Sequence, residues 1–235
     1  MKNTINKLGY LTSIATLLLT VITFGIAVFT PPFSGPFCTS NCFGYPFYNI
    51  ASRFPRDYFW MFPAALLSLS TLFLFACIHY TTSKEKKIYS HIALLITQIA
   101  TGLLFVNYFI QFSFIQPSLI NGEFEGINLL SQFNPHGIFI ILEESAYLLM
   151  SIAFLFVARV FTKEKLDLFI RSIFTLSGMA TLLSFAIILF KFGLSREYRF
   201  EVFSISIVWL TLIINSLLLI KWFKSIKIQH EQRCI

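Results

Sequence analysis

Six uninterrupted apolar stretches, at residues 8–30, 58–81, 88–115, 136–161, 169–192 and 200–222, constrain this chain more than any other feature. A helix rises 1.5 Å per residue, so about 20 apolar residues cross a hydrocarbon core about 30 Å thick. The stretches lack the polar–apolar alternation of a barrel strand. Backbone in lipid must satisfy its own hydrogen bonds, which leaves helices. Composition agrees, since 12% of the 235 residues are charged, against about 25% in a soluble domain. The expected fold is all-α integral membrane, a six-transmembrane-helix bundle. Residues 1–235 form a single polytopic domain, with an outer loop at 31–57 and a cytoplasmic tail at 223–235.

Basic residues set the expected orientation. Of the 18 lysines and arginines, thirteen fall on one side of the six stretches and five on the other. Cytoplasmic loops carry the excess of positive charge, so both termini are expected in the cytoplasm. The membrane implied is the plasma (cytoplasmic) membrane, crossed several times. The first apolar run exceeds the 7–15 residues of a signal peptide, and no small-x-small site follows it, so it is read as a retained helix. A faint likeness between "FLFACIHYTTSKEK" and "FLFVARVFTKEK" reads as two Phe-rich helices leaving toward a basic face rather than as an internal repeat.

The net charge of +7 is spread over short loops, with no basic stripe interleaved with aromatics, so nucleic acid is not expected as a partner. The lipid bilayer is the certain partner. A small solute, a proton or a cation, and another membrane protein, are the partners that the remaining features leave open.

The outer loop contains Cys38 and Cys42, spaced C-x3-C among prolines and glycines. Thiols outside the cytoplasm tend to be oxidised, and three intervening residues permit a small disulfide ring. A structural staple fits better than a redox pair, because the spacing is not C-x-x-C. The loop offers no histidine for zinc. Cys77 and Cys234 are read as free thiols. Arg53, Arg56 and Asp57 are expected at the interface, with Asp57 capping the second helix and the arginines gripping lipid phosphate or another anion.

The costliest residues are Glu143 and Glu144, inside "HGIFIILEESAYLLMS". An acidic residue at the centre of a spanning helix costs about 2.5–3.5 kcal/mol on insertion scales. Two adjacent carboxylates would also repel each other if both were ionised, so one of them is expected to hold a proton. At 3.6 residues per turn, His136, Ile140, Glu143, Tyr147 and Ser151 share a stripe, while Glu144 lies about 100° around. Asn107 and Gln111 sit one turn apart on the third helix, at a matching depth. Glu143, Glu144, Tyr147, His136, Asn107 and Gln111 are therefore the candidate ligand-binding set.

Polar side chains also join membrane helices with no further role, at about 0.6 kcal/mol each. His79 and His91 are read as interfacial contacts, and no metal or cofactor is expected. No G-x-S-x-G, H-E-x-x-H or Walker A sequence occurs, so enzyme activity is not the favoured reading. Ser177 and Gly178, in "LSGM", are read as a close-packing contact. The function expected is binding or transport of a proton, cation or small amphipathic solute at an intramembrane acidic site. A membrane-embedded enzyme acting on a lipid-like substrate and a structural or interaction subunit are the alternatives.

Overall fold

The computed structural model describes residues 2–30, 32–162 and 164–232, with the side chains of Lys2 and of residues 227–232 excepted; Pro31, Lys163, Arg233 and Cys234 lie outside the described residues. Six long helices make up the chain: α1 (Lys2–Val28), α2 (Met61–Thr81), α3 (Lys87–Ile110), α4 (Ile138–Ala158), α5 (Lys165–Phe192) and α6 (Tyr198–Gln232). Each contains a span long and apolar enough to cross a membrane, so the chain is a multi-pass membrane protein by length and composition. Among the described residues there is no strand.

Local sequence sets the helix ends. Pro63 falls in the first turn of α2, where a missing N–H costs no intrahelical bond. The third stretch runs further than 88–115. It passes through a π turn at Gln111–Ile115 into a short helix, Gln116–Asn121, and stops at Gly122, whose φ of +75° suits the left-handed cap. The last helix runs through most of the expected tail, because its lysine-rich end is made of good helix formers.

The helices form a closed ring in chain order. Each packs on the next, α6 returns to α1, and α4 also meets α6 across the middle. One end of the ring, the loop face, carries the segments 29–60, 111–137 and 193–197. The other, the basic face, carries the lysine-rich turns.

The core pattern is that of a protein solvated by lipid. On α1 the exposed side chains include Leu8, Leu11, Leu18 and Ile22, while Ser13, Thr16, Thr20 and Thr23 are buried. Lipid tails are as apolar as leucine, so small hydroxyl residues line the helix contacts instead. Most satisfy themselves locally, as Thr20 does by donating to the Thr16 carbonyl at 2.6 Å. Thr16 and Ser70 bridge α1 and α2 at 2.8 Å. Gly178 sets the spacing of α5 on α4, since a Cβ there would lie 2.8 Å from the Ser151 carbonyl oxygen.

The long loop folds down onto the helix ends. Cys38 and Cys42 are disulfide-bonded with Cα atoms 5.9 Å apart. Ser34 and Tyr198 hydroxyls bond at 2.7 Å, and Tyr198 lies within 2.9 Å of the Gln132 carbonyl, tying three segments together.

Candidate functional site

The two adjacent glutamates part company in the fold. They lie one to two turns below the loop-face end of α4. A rotation of about 100° between neighbouring residues sends them to different helices. Glu144 turns to the α5–α6 connection, where the Arg196 guanidinium donates to its Oε2 from Nε at 2.9 Å and Nη2 at 2.7 Å. Glu144 is 5% exposed, so this ion pair is largely removed from water.

Glu143 is wholly buried and points inward. Tyr108, on α3, donates to its Oε1 at 2.6 Å, and the Tyr108 and Tyr147 hydroxyls bond at 3.0 Å. A phenol has one proton to give. Because Tyr108 gives its proton to Glu143, Tyr147 is the donor in the second bond. The chain of donors therefore runs Tyr147 to Tyr108 to Glu143.

The second oxygen of Glu143 has no conventional donor. The Glu143 carboxyl lies beside that of Glu201, from the first turn of α6. Ionised carboxylates only accept hydrogen bonds, so a single proton held between the pair satisfies both. With Tyr108 already donating to Glu143 Oε1, a proton shared by the pair would lie on the Glu201 side. The charged groups facing Glu201 are Glu143 and Glu144, both acidic, and no arginine or lysine among the described residues pairs with it.

Glu201 also forms part of the wall of a cavity of about 280 Å³ at the loop face. Phe24 of α1, Phe33 of the loop, Trp60, Phe139 and Trp209 are its larger aromatic lining residues, and Ser34, Asp57, Gln132 and Tyr198 are among its polar ones. Trp209 packs edge-on against both Tyr147 and Trp60, with ring centroids 6.3 Å apart in each case, and Trp60 meets Tyr108 at 5.4 Å. Aromatic rings thus surround the carboxyl pair on the cavity side.

Compared with known proteins, the chain matches no family model, no curated protein and no solved structure.

The candidate set therefore divides. Glu143 and Tyr147 lie at the buried acidic centre. Asn107 donates to the Phe139 carbonyl at 2.9 Å, and Gln111 donates to the Leu130 carbonyl at 2.7 Å while accepting from the Gln132 N–H at 3.0 Å. Both amides clamp α3 to the chain leading into α4. His136 is exposed at the surface, with Nε2 3.8 Å from Glu197. Tyr108, Glu201 and Trp209 are not among the residues singled out from sequence.

Asp57 does not cap α2. Its buried carboxylate is held by Arg56 Nε at 2.8 Å and by Arg53. Arg53 also stacks over the Phe33 ring, 3.8 Å from its centroid. Through Asp57 and Phe33, which line the cavity, these arginines brace its wall, and the Arg56 side chain remains 67% exposed. His79 bonds Ser90 at 2.9 Å, and among the described residues no three His, Cys, Asp or Glu gather as metal ligands would.

Proposed function

We propose that the protein binds a small amphipathic amine in the loop-face cavity, its ammonium at the Glu143–Glu201 pair and its apolar body among the aromatic walls. The observation that carries this reading is Glu201. It is a buried carboxyl on a cavity wall, in contact with a second carboxyl and paired with no cation. A pair holding one proton has a net charge of −1, which one ammonium neutralises. Burying an uncompensated charge is costly, so that neutralisation is a source of affinity. Tryptophan and phenylalanine faces attract a cation and accept an apolar body at once. The volume lies near the lower end of ligand pockets, about 300–1,000 Å³, which suits a solute with one ring.

The charge bias supports an orientation in which the basic face is cytoplasmic and the cavity opens outside, in the plasma membrane. Calorimetric titration of the detergent-purified protein with phenethylamine, and with 2-phenylethanol as its uncharged counterpart, tests the reading. The amine is expected to bind at least about tenfold more tightly, a difference of about 1.4 kcal/mol. Glu201→Gln is expected to remove that preference. Equal affinity for the two probes, or an unchanged preference in Glu201→Gln, would leave the carboxyl pair as helix-joining glue.

A further inference from the structure

The arginines divide by face. On the loop face, Arg53, Arg56, Arg196 and Arg199 each lie within 4.0 Å of a carboxylate. On the basic face, Arg159 and Arg171 pair with no carboxylate among the described residues. Asp167, one turn before Arg171, has its two oxygens engaged by the Thr162 N–H at 3.2 Å and the Trp222 indole at 3.0 Å. Both arginines nevertheless line one cleft of about 490 Å³ between α4 and α5.

That cleft is graded along its length. Arg159 at the end of α4 and Arg171 near the start of α5 sit at its mouth. Ser172 and Thr175 come next, and Leu155, Leu176 and Met179 line the deeper part. Residues 172, 175, 176 and 179 follow the i, i+3, i+4, i+7 spacing of one helix face, and 155 and 159 are one turn apart. From Arg171 to Met179 the descent is about 12 Å. Ser172, Thr175, Leu176 and Met179 are exposed on the bundle surface, where lipid would lie.

We infer that this cleft is a binding site for an anionic phospholipid. The phosphate sits between the Arg159 and Arg171 guanidiniums, the ester region lies against Ser172 and Thr175, and one acyl chain follows Leu155, Leu176 and Met179. Guanidinium offers paired donors that match phosphate oxygens, which a zwitterionic headgroup satisfies less fully because its own cation competes. The apolar continuation of the cleft distinguishes a lipid from free phosphate. The site is separate from the loop-face cavity and stands without the amine reading.

Native mass spectrometry of the detergent-purified full chain, titrated with dioleoyl phosphatidylglycerol or dioleoyl phosphatidylcholine, tests it with acyl chains held constant. Phosphatidylglycerol is expected to bind about tenfold more tightly, through charge-assisted bonds to the two arginines. The pair Arg159→Gln and Arg171→Gln is expected to abolish the preference. Should that variant fail to fold, Arg159→Lys with Arg171→Lys keeps the charge but not the forked donors, and is expected to cut the preference by about threefold or more. Equal binding of the two lipids, an undiminished preference in the variants, or displacement of the lipid by millimolar inorganic phosphate would overturn the assignment.

Discussion

Replacing Arg196 with glutamine tests whether the Glu144 ion pair holds the loop-face end of the bundle together. Among the described residues, the substitution removes the only cation bonded to Glu144, which is 5% exposed. Removing one partner of a fully buried ion pair costs about 3–5 kcal/mol. The Arg196 side chain is 26% exposed, so water reaches the pair from one side. That screening brings the expected loss to about 2 kcal/mol. For a chain of this length it corresponds to a midpoint lower by about 4–8 °C in a detergent thermal-unfolding assay. The double variant Arg196→Gln with Glu144→Gln removes both charges while keeping their shape. It should be more stable than Arg196→Gln alone by about 1 kcal/mol, because no isolated charge remains. An unchanged midpoint in Arg196→Gln would refute the reasoning. So would a double variant losing the full sum of the two single losses, since the charges would then be acting independently.

Three further outcomes follow from the same geometry. Tyr108→Phe takes the donor from Glu143 and the acceptor from Tyr147, and should lower stability by about 1–3 kcal/mol while weakening amine binding, read by thermal unfolding with and without phenethylamine. Gly178→Ala forces a methyl group toward the Ser151 carbonyl and should cost about 1–3 kcal/mol by separating α4 from α5, whereas Gly102→Ala, with open space around it, should not. Cys38→Ser opens a five-residue ring, and loop entropy sets the expected loss at about 2 kcal/mol. Reductant should lower the midpoint of the native protein by a matching amount and leave the variant unchanged.

The six helices were legible in the sequence because length and apolarity in lipid admit one kind of element. Their boundaries were less so. The third stretch ran past 115 because Pro117 falls at the start of a new helical turn, where it is tolerated, and the π turn before it leaves no mark in hydropathy. Glu143 and Tyr147 were found because an acid inside an apolar run is conspicuous, and i, i+4 spacing puts a tyrosine on its stripe. Glu144 was equally conspicuous, but its partner Arg196 lies in the α5–α6 connection, where no spacing pattern links the two.

Glu201 was hidden for a similar reason. In "SREYRFEVF" it reads as one charge among several at a helix end. Only the packing of α4 on α6, with the loop folded over Tyr198, turns it into a buried group beside Glu143. Its position just inside the sixth stretch was the available signal. Asn107 and Gln111 were singled out for their depth and shared face, yet their amides bond to backbone groups that no sequence pattern announces.

The central claim is that Glu201 and Glu143 share a proton beside an amine-binding cavity, while Glu144 is ionised and paired. Labelling at pH 7 with a hydrophobic carbodiimide, followed by mass-spectrometric site assignment, tests it most directly, because the reagent reacts with protonated carboxyls in apolar surroundings. The account expects modification at Glu201, suppressed by phenethylamine but not by 2-phenylethanol, and none at Glu144. Modification at Glu144 with Glu201 and Glu143 untouched, or labelling of Glu201 indifferent to the amine, would contradict it.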